Sequence, residues 1–587
     1  MCTENRLWML GGLALGLVAC SKEKPVETTQ THTPTVIPTQ VGRTGSAAAN
    51  TDPIAFHYAP GNLGVDFVHT SGMDGRKLLP ETMGGGVCLF DMDQDGDLDL
   101  YLSSGKSWDP KAAPTVGRLY AMEEGRFVDR TEAAGLAGEG FNVVAQGVIA
   151  ADYDADGDED LFLTCFGANM LLRNDGGRFV DVAEAAGLEG RTWKDENGVE
   201  RPEWSTSAGF CDLDGDGWLD LFVCNYLEWC EDNNVDFTLS GEVKGYASPK
   251  LYRGSTSRLY KNRGDGTFEE VTASAGIESP NHKALGVCFA DVNLDGKQDI
   301  LVANDTQPNC LFLNQGDMKF EDIGVQAGIG YGVDGAVRAG MGIDATYYSD
   351  AGELAIAVGN FSAEPISFFR AKSSRRLVFA DDNVTTGLGR TSGPSLTFTT
   401  AFFDPNLDGL PDMLAINGHL EPDIALVSSS TSYRQKPQMF VNTGDKGRFA
   451  DLSAQCGEVF QKEFVGRGMA LGDLDLDGDV DVVVAELGGP AQVWLNDNPS
   501  GRKSLRLRLR GKAPNVDAIG ARVTVEGGPF PQTTWVRTGN AYLSQHELTL
   551  TFGLGAVQKA NVTVYWPDGS QTSHPDLDVG KPHELKQ

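Results

Sequence analysis

Six nine-residue segments of this chain carry oxygen donors at one fixed spacing. They read Asp91-Met-Asp93-Gln-Asp95-Gly-Asp97-Leu-Asp99, Asp152-Tyr-Asp154-Ala-Asp156-Gly-Asp158-Glu-Asp160 and Asp212-Leu-Asp214-Gly-Asp216-Gly-Trp-Leu-Asp220. The others are Asp291-Val-Asn293-Leu-Asp295-Gly-Lys-Gln-Asp299, Asp404-Pro-Asn406-Leu-Asp408-Gly-Leu-Pro-Asp412 and Asp473-Leu-Asp475-Leu-Asp477-Gly-Asp479-Val-Asp481. Oxygens at positions 1, 3 and 5, glycine at 6 and a carboxylate at 9 describe a Ca²⁺ loop. The hard cation gathers roughly six to eight oxygens, and glycine allows the sharp turn that converges them. An EF-hand would add Glu at position 12, where this chain has Leu102, Leu163, Val223, Val302, Ala415 and Val484. The loops therefore close on the position-9 Asp and run into strands. The expectation is about six Ca²⁺ per chain.

Those loops need scaffolding, and the sequence repeats it. Loop starts lie 61, 60, 79, 113 and 69 residues apart, so the long gap holds one further copy around residues 339–358. That copy puts Tyr347, Ser349, Ala351 and Ala355 where ligands should stand, which predicts a metal-free unit. In each unit an apolar run precedes the loop and a β-rich run follows it. A Leu-x-x-Asn-type element comes next, ending at Asn174, Asn262, Asn314, Asn442 and Asn496, and then a Phe-centred strand. Four short strands per unit of about 60 residues, in seven copies, predict an all-β fold: a seven-bladed β-propeller over 53–498. Alternation of Leu505, Leu507 and Leu509 with Arg506, Arg508 and Arg510 opens a small β-sandwich-like domain over 499–587.

These motifs resemble FG-GAP, or VCBS, repeats of integrin α-subunit propellers and of secreted bacterial proteins. Val65-Asp-Phe-Val-His69, Leu79-Pro-Glu81-Thr-Met-Gly-Gly-Gly86 and Asn417-Gly418-His419 resemble proteins similar to cartilage acidic protein. In the tail, Asn515-Val-Asp-Ala-Ile-Gly520, Ser544-Gln545, Phe552-Gly-Leu-Gly555 and Trp566-Pro-Asp-Gly569 resemble the ASPIC/UnbV domain.

The net charge of −34 argues against nucleic acid, which needs clustered Lys and Arg. Leu7–Ala19 is apolar but too short to span a bilayer. Its end, Leu17-Val18-Ala19-Cys20, resembles a bacterial lipobox. That resemblance implies a lipoprotein signal peptide over 1–19, acylation at Cys20, and a lipid-anchored place in the cell envelope, at the outer membrane, facing periplasm or exterior. The alternative is an ordinary secretory signal whose Cys falls at the cleavage site. Residues 20–52 are rich in Thr, Pro and Gln and read as a disordered tether. Cys88, Cys211 and Cys288 read as small buried residues; Cys224 and Cys230 are close enough in sequence to pair.

The ends of the second strands carry Asn225, Asn304, Asn360, Asn417 and His419, with Trp229 in the longest insertion. Amides and an indole on one face suit a hydroxyl-rich ligand. The competing reading is that the asparagines cap strand ends. Catalytic signatures are lacking: there is no Gly-x-Ser-x-Gly, no HExxH and no phosphate loop. The expectation is a binding, adhesion or scaffold module for a glycan or extracellular protein. A polysaccharide lyase or hydrolase on a calcium propeller, with His69 or His419 as acid or base, is the alternative. If Cys20 is the anchor, Cys20→Ser releases the protein from membranes without detergent; continued detergent dependence on fractionation identifies another anchor.

Overall fold

A computed structural model describes residues 53–349, 352–373, 377–445 and 447–587. The expected signal segment, Cys20 and the expected tether lie outside the described residues.

The alternation of apolar runs and Asp-Gly turns folds into seven four-stranded antiparallel sheets. The first consists of Val87–Phe90, Asp99–Leu102, Arg118–Glu123 and Arg126–Asp129. The first strands of the next six sheets are Val144–Ala151, Ser205–Cys211, Ala284–Ala290, Ile343–Tyr347, Thr397–Phe403 and Gly466–Gly472. Each of these strands neighbours the first strand of the sheet before it, and Gly466–Gly472 returns to Val87–Phe90. The seventh sheet takes its outer strand from the other end of the chain: Phe56–Tyr58 pairs antiparallel with Gln492–Asn496. The fifth sheet is the copy without a Ca²⁺ motif, and it is four-stranded like the rest. Between adjacent sheets lie closed apolar clusters, such as Val87, Leu89 and Leu100 against Ala470, Val483 and Val493. Burial of such side chains contributes about 1.5–3 kcal/mol each.

The tail forms two sheets. Ser504–Arg510 lies between Leu550–Gly553 and Pro582–Lys586, parallel to the latter. Arg522–Glu526 lies between Gln532–Trp535 and Lys559–Tyr565, with Gln571–Asp578 outside. Leu505, Leu507 and Leu509 from one sheet and Val523, Val525, Val562 and Val564 from the other share a core, as the alternation predicts. The same cluster takes in Phe210 and Leu221 of the third repeat sheet. The tail and the repeat region therefore pack as one compact unit.

The connection 536–549 leaves the tail and enters the space enclosed by the seven first strands. Leu89 N–H donates to Gln545 O (3.2 Å), Gln545 N–H to Val87 O (2.9 Å) and Val148 N–H to Leu543 O (3.1 Å). Phe210 N–H donates to Thr538 Oγ1, and Arg537 reaches the Asp344 carboxylate at 2.5 Å. Tyr542 packs edge-on against Phe398 of the sixth sheet, and Glu547 N–H donates to Leu471 O of the seventh. Nothing in the sequence marked this segment as the filling of the ring.

The eight cysteines among the described residues are free and buried, Cys224 and Cys230 included. Gln545 is fully buried, and its amide bonds both the N–H and the C=O of Ala150. Gln545→Ala leaves two backbone groups unpaired and is expected to destabilise the fold by about 2 kcal/mol or more in urea denaturation. Exposed Gln558→Ala should stay within about 0.5 kcal/mol of wild type.

Candidate metal centres

The six Asp loops share one backbone path. Position 6 is glycine at φ between +89° and +106°. Position 4 is also left-handed, although five of its six residues are not glycine: Gln94, Ala155, Leu294, Leu407 and Leu476 sit at φ of +55° to +60°. This strain, costly for non-glycine residues, is held by backbone N–H groups that donate to the loop carboxylates. In the second loop the Asp152 carboxylate accepts from the N–H groups of Asp156 and Gly157, both at 3.1 Å. The Asp291, Asp404 and Asp473 carboxylates accept from the equivalent pairs. The position-5 carboxylates of all six loops accept from the N–H two residues on.

The position-9 aspartate has a second task. Asp99 Oδ2 accepts from Met92 N–H (2.8 Å) and Oδ1 from Met122 N–H (2.9 Å), tying the loop to the third strand. Asp160, Asp220, Asp299 and Asp481 repeat this brace. The Asn of each Leu-x-x-Asn-type element links neighbouring sheets. Asn174, Asn262, Asn314, Asn442 and Asn496 donate from Nδ2 to the position-2 carbonyls of the preceding unit, at Met92, Tyr153, Leu213, Tyr348 and Pro405.

What remains of the carboxylates converges. Oxygens of Asp91, Asp93 and Asp99 lie within 4.8 Å of one another, as do those of Asp152, Asp154 and Asp160, of Asp212, Asp214 and Asp216, and of Asp473, Asp475 and Asp481. Buried Asp91 Oδ1, Asp97 Oδ1, Asp412 Oδ2 and Asp479 Oδ1 have no hydrogen-bond donor. Burial, reinforced by neighbouring carboxylates, raises Asp99, Asp220 and Asp299 to about 8 and Asp160 to about 9. Over the third loop, Lys261 Nζ touches Asp214 and Asp216, an ammonium standing where a cation fits. An all-oxygen, acidic donor set of this kind fits Ca²⁺ and offers no soft ligand. Asp95, Asp156, Asp158, Asn293, Asp295, Asn406, Asp408 and Asp477 complete the six loops.

The fifth unit is built differently. Its turn is closed by Tyr348 N–H to Glu353 O (3.2 Å); Asp350 and Ala351 lie outside the described residues. The carboxylate of this unit, Asp344, is paired with Arg537 of the inserted segment.

Groups that sequence reasoning missed lie over the loops. Arg506 contacts Asp473 (2.8 Å) and Glu547 (2.7 Å), and Arg508 contacts Glu159 and Asp517. The polar face of the strand Ser504–Arg510 thus lies over the first and sixth loops, lining with them a cavity of about 680 Å³. The alternation of Leu and Arg was legible, but not what the arginines face.

The expected ring of ligand-binding residues is corrected. Trp229 is fully buried between Trp204, Phe166 and Trp108, and its Nε1–H donates to Asn234. Asn225, Asn304 and Asn417 are fully buried, with their amides bonded to neighbouring loops. Asn360 donates to Pro365 O and Ser367 Oγ. His419 is buried, and its Nδ1 accepts from Glu421 N–H. The connections that follow the second strands take up these amides at Thr256, Pro308, Pro365 and Lys436, so the asparagines cap strand ends and are buried.

Comparison with known proteins follows this geometry. The FG-GAP-like repeat description matches residues 152–223 and 246–302, covering the second to fourth Asp loops, and the ASPIC and UnbV description matches 511–587. The chain carries FG-GAP-like repeats and an ASPIC and UnbV domain. Cartilage acidic protein 1 of Xenopus tropicalis is 24% identical over 536 residues, covering 86% of this chain and 75% of the relative. A solved Agrocybe aegerita lectin that recognises non-reducing terminal N-acetylglucosamine is 15% identical, covering 66% of this chain and 89% of its own, with a TM-score of 0.36. A rhamnogalacturonan lyase is 14% identical, covering 70% and 71%, with a TM-score of 0.35. The ASPIC and UnbV match includes the segment 536–549 that fills the ring of first strands.

If the FG-GAP loops hold Ca²⁺, chelation lowers the melting temperature by several degrees, and metal analysis finds six ions per chain. Seven would show that the fifth unit also binds. Raised carboxylate pKa values mean that the metal-free fold is least burdened below about pH 4. It loses stability as pH rises through about 8, because the unfolded chain ionises first. The chelator effect should accordingly shrink from pH 8 to pH 5 in thermal scans.

Proposed function

We propose that this chain is a calcium-stabilised, lipid-anchored binding or scaffold module of the bacterial cell envelope. In this reading the seven sheets are the blades of one β-propeller, and the tail is a β-sandwich-like cap seated on its Asp-loop face. Cys20 carries the anchor. The ligand is an extracellular glycan or protein. The observation that carries the proposal is the convergence of carboxylate oxygens in loops of one shape on one face. Filled with Ca²⁺, these loops make a rigid platform whose opposite face is free to bind.

Binding is favoured over catalysis by the state of the two histidines. His69 is pulled down to about 3 and His419 to about 4, by burial and by the Arg467 cation. The Nδ1 of each accepts a backbone N–H. Neither is placed to exchange protons with a substrate at neutral pH.

On the face away from the Asp loops, two insertions, 226–257 and 418–437, meet through Glu421, which accepts from Tyr246 N–H and pairs with Lys77. Their outward sides expose Phe237, Leu251 at 56% and Leu426 at 72%. Long loops on a rigid scaffold are common binding surfaces, and these replace the buried asparagines as the place where a ligand is met. Screening the soluble chain from residue 53 against glycans and extracellular proteins, with and without calcium, should yield a calcium-dependent ligand. The double change Phe237→Asp and Leu426→Asp is expected to weaken it at least tenfold, or about 1–3 kcal/mol, with unchanged calcium-dependent melting. Release of unsaturated or reducing sugar ends from a bound glycan would instead establish an enzyme.

A further inference from the structure

Arg467 is a buried cation without a counter-charge. Its side chain is fully buried near the start of the strand Gly466–Gly472, at the end away from the Asp loops. Nε donates to Thr82 O (2.8 Å), and Nη1 donates to Gly466 O (2.8 Å) and Gly418 O (3.2 Å). The guanidinium carbon lies 3.8 Å from the centre of the Phe398 ring. Nη2 has no acceptor. Among the described residues no carboxylate pairs with Arg467, whereas the other deeply buried guanidinium groups have one: Arg537 has Asp344, and Arg506 has Asp473 and Glu547.

The titratable groups that bear on Arg467 supply no negative charge. They are Tyr246, Tyr433 and Tyr542, whose hydroxyls burial pushes above their ordinary value, and His69 and His419, which burial holds neutral. Two of these carry further unpartnered buried atoms, Tyr542 Oη and His69 Nε2. Arg467 itself, though lowered to about 10, stays charged at neutral pH. Carbonyl oxygens and an aromatic face satisfy its donors but do not neutralise it. A lone charge out of water is among the most costly arrangements in a protein interior unless an opposite charge accompanies it.

We propose that the centre of the ring holds a small monovalent anion on Arg467 Nη2, of halide or small-oxyanion size, beside the Phe398 ring that Tyr542 also packs against. The site is enclosed by the tip of the ASPIC and UnbV segment on one side and by the Leu79–Gly86 stretch on the other. Arg467 N–H would donate to the anion, and the unpartnered Tyr542 hydroxyl and His69 Nε2 are the further donors buried nearby in the contacts around Phe398 and Thr82. A larger ligand is excluded, because every group named is buried.

The test uses the full chain from residue 53, loaded with calcium gluconate. Crystals soaked in sodium bromide should show an anomalous peak at hydrogen-bond distance from Arg467 Nη2. Trigonal or tetrahedral density there without a bromide signal would identify a retained oxyanion and equally support the site. Density that refines only as water, unchanged by bromide, overturns the proposal. In solution, replacing gluconate by chloride or bromide at constant ionic strength should raise the melting temperature of the wild type saturably, by about 1–3 °C. Arg467→Met should lack the halide response. Equal responses in wild type and variant would also overturn the proposal, and if the variant fails to fold the bromide map decides alone.

Discussion

Seven sheets arranged in sequence around a common centre leave seven first strands whose inner edges have backbone N–H and C=O groups to satisfy. Such edges are costly when dry and invite foreign strands when wet. Here the chain supplies its own partner. The segment 536–549 pairs with Val87, Leu89 and Val148 through its backbone and with Ala150 and Phe210 through side chains. It reaches Asp344, Phe398 and Leu471 on the remaining side. The tail is therefore part of how the repeats satisfy their inner backbone, as well as a domain that follows them.

Electrostatics places the tail on one face and not the other. The Asp loops concentrate negative charge between the first and second strands. The strand Ser504–Arg510 meets two of them with a basic row whose arginines pair with Asp473 and Glu159. Its alternate leucines turn inward to the tail's own core. One strand thus reads the charge of the repeats on one side and closes a hydrophobic core on the other. A cation in the sixth loop would share Asp473 with Arg506, so metal and tail would be neighbours in the same field.

The opposite face is built by insertions. Residues 226–257 bury an aromatic cluster of Trp204, Tyr226 and Trp229, and Thr256 accepts from the Asn225 amide. The outer side of these insertions faces solvent, at Phe237, Leu251 and Leu426, and the strand ends beneath them do not. On this side of the ring Arg467 is buried against Thr82, Gly418 and the Phe398 ring, out of water.

Local rules made the repeat legible. The spacing of Asp and Gly, the Asn carried by five of the third strands and the alternation in the tail are short-range patterns, and each corresponds to an element of the structure. The unit with no Ca²⁺ motif was recoverable from spacing alone, because strands persist when ligands are lost. Other features depend on groups far apart in the chain and carry no local signature. The left-handed residue at loop position 4 escaped notice because Gln, Ala and Leu give no sign of it; carboxylate hydrogen bonds impose it. The asparagines Asn225, Asn304 and Asn417 looked like a ligand ring because polarity at a strand end reads the same whether it faces solvent or a covering loop. The sequence by itself determined the all-β repeat and its acidic loops, since both are written in residues a few positions apart. Only the tertiary structure decided that Gln545 fills the centre, that Trp229 is core and that Arg467 stands without a carboxylate, because each depends on which distant segments share one buried space.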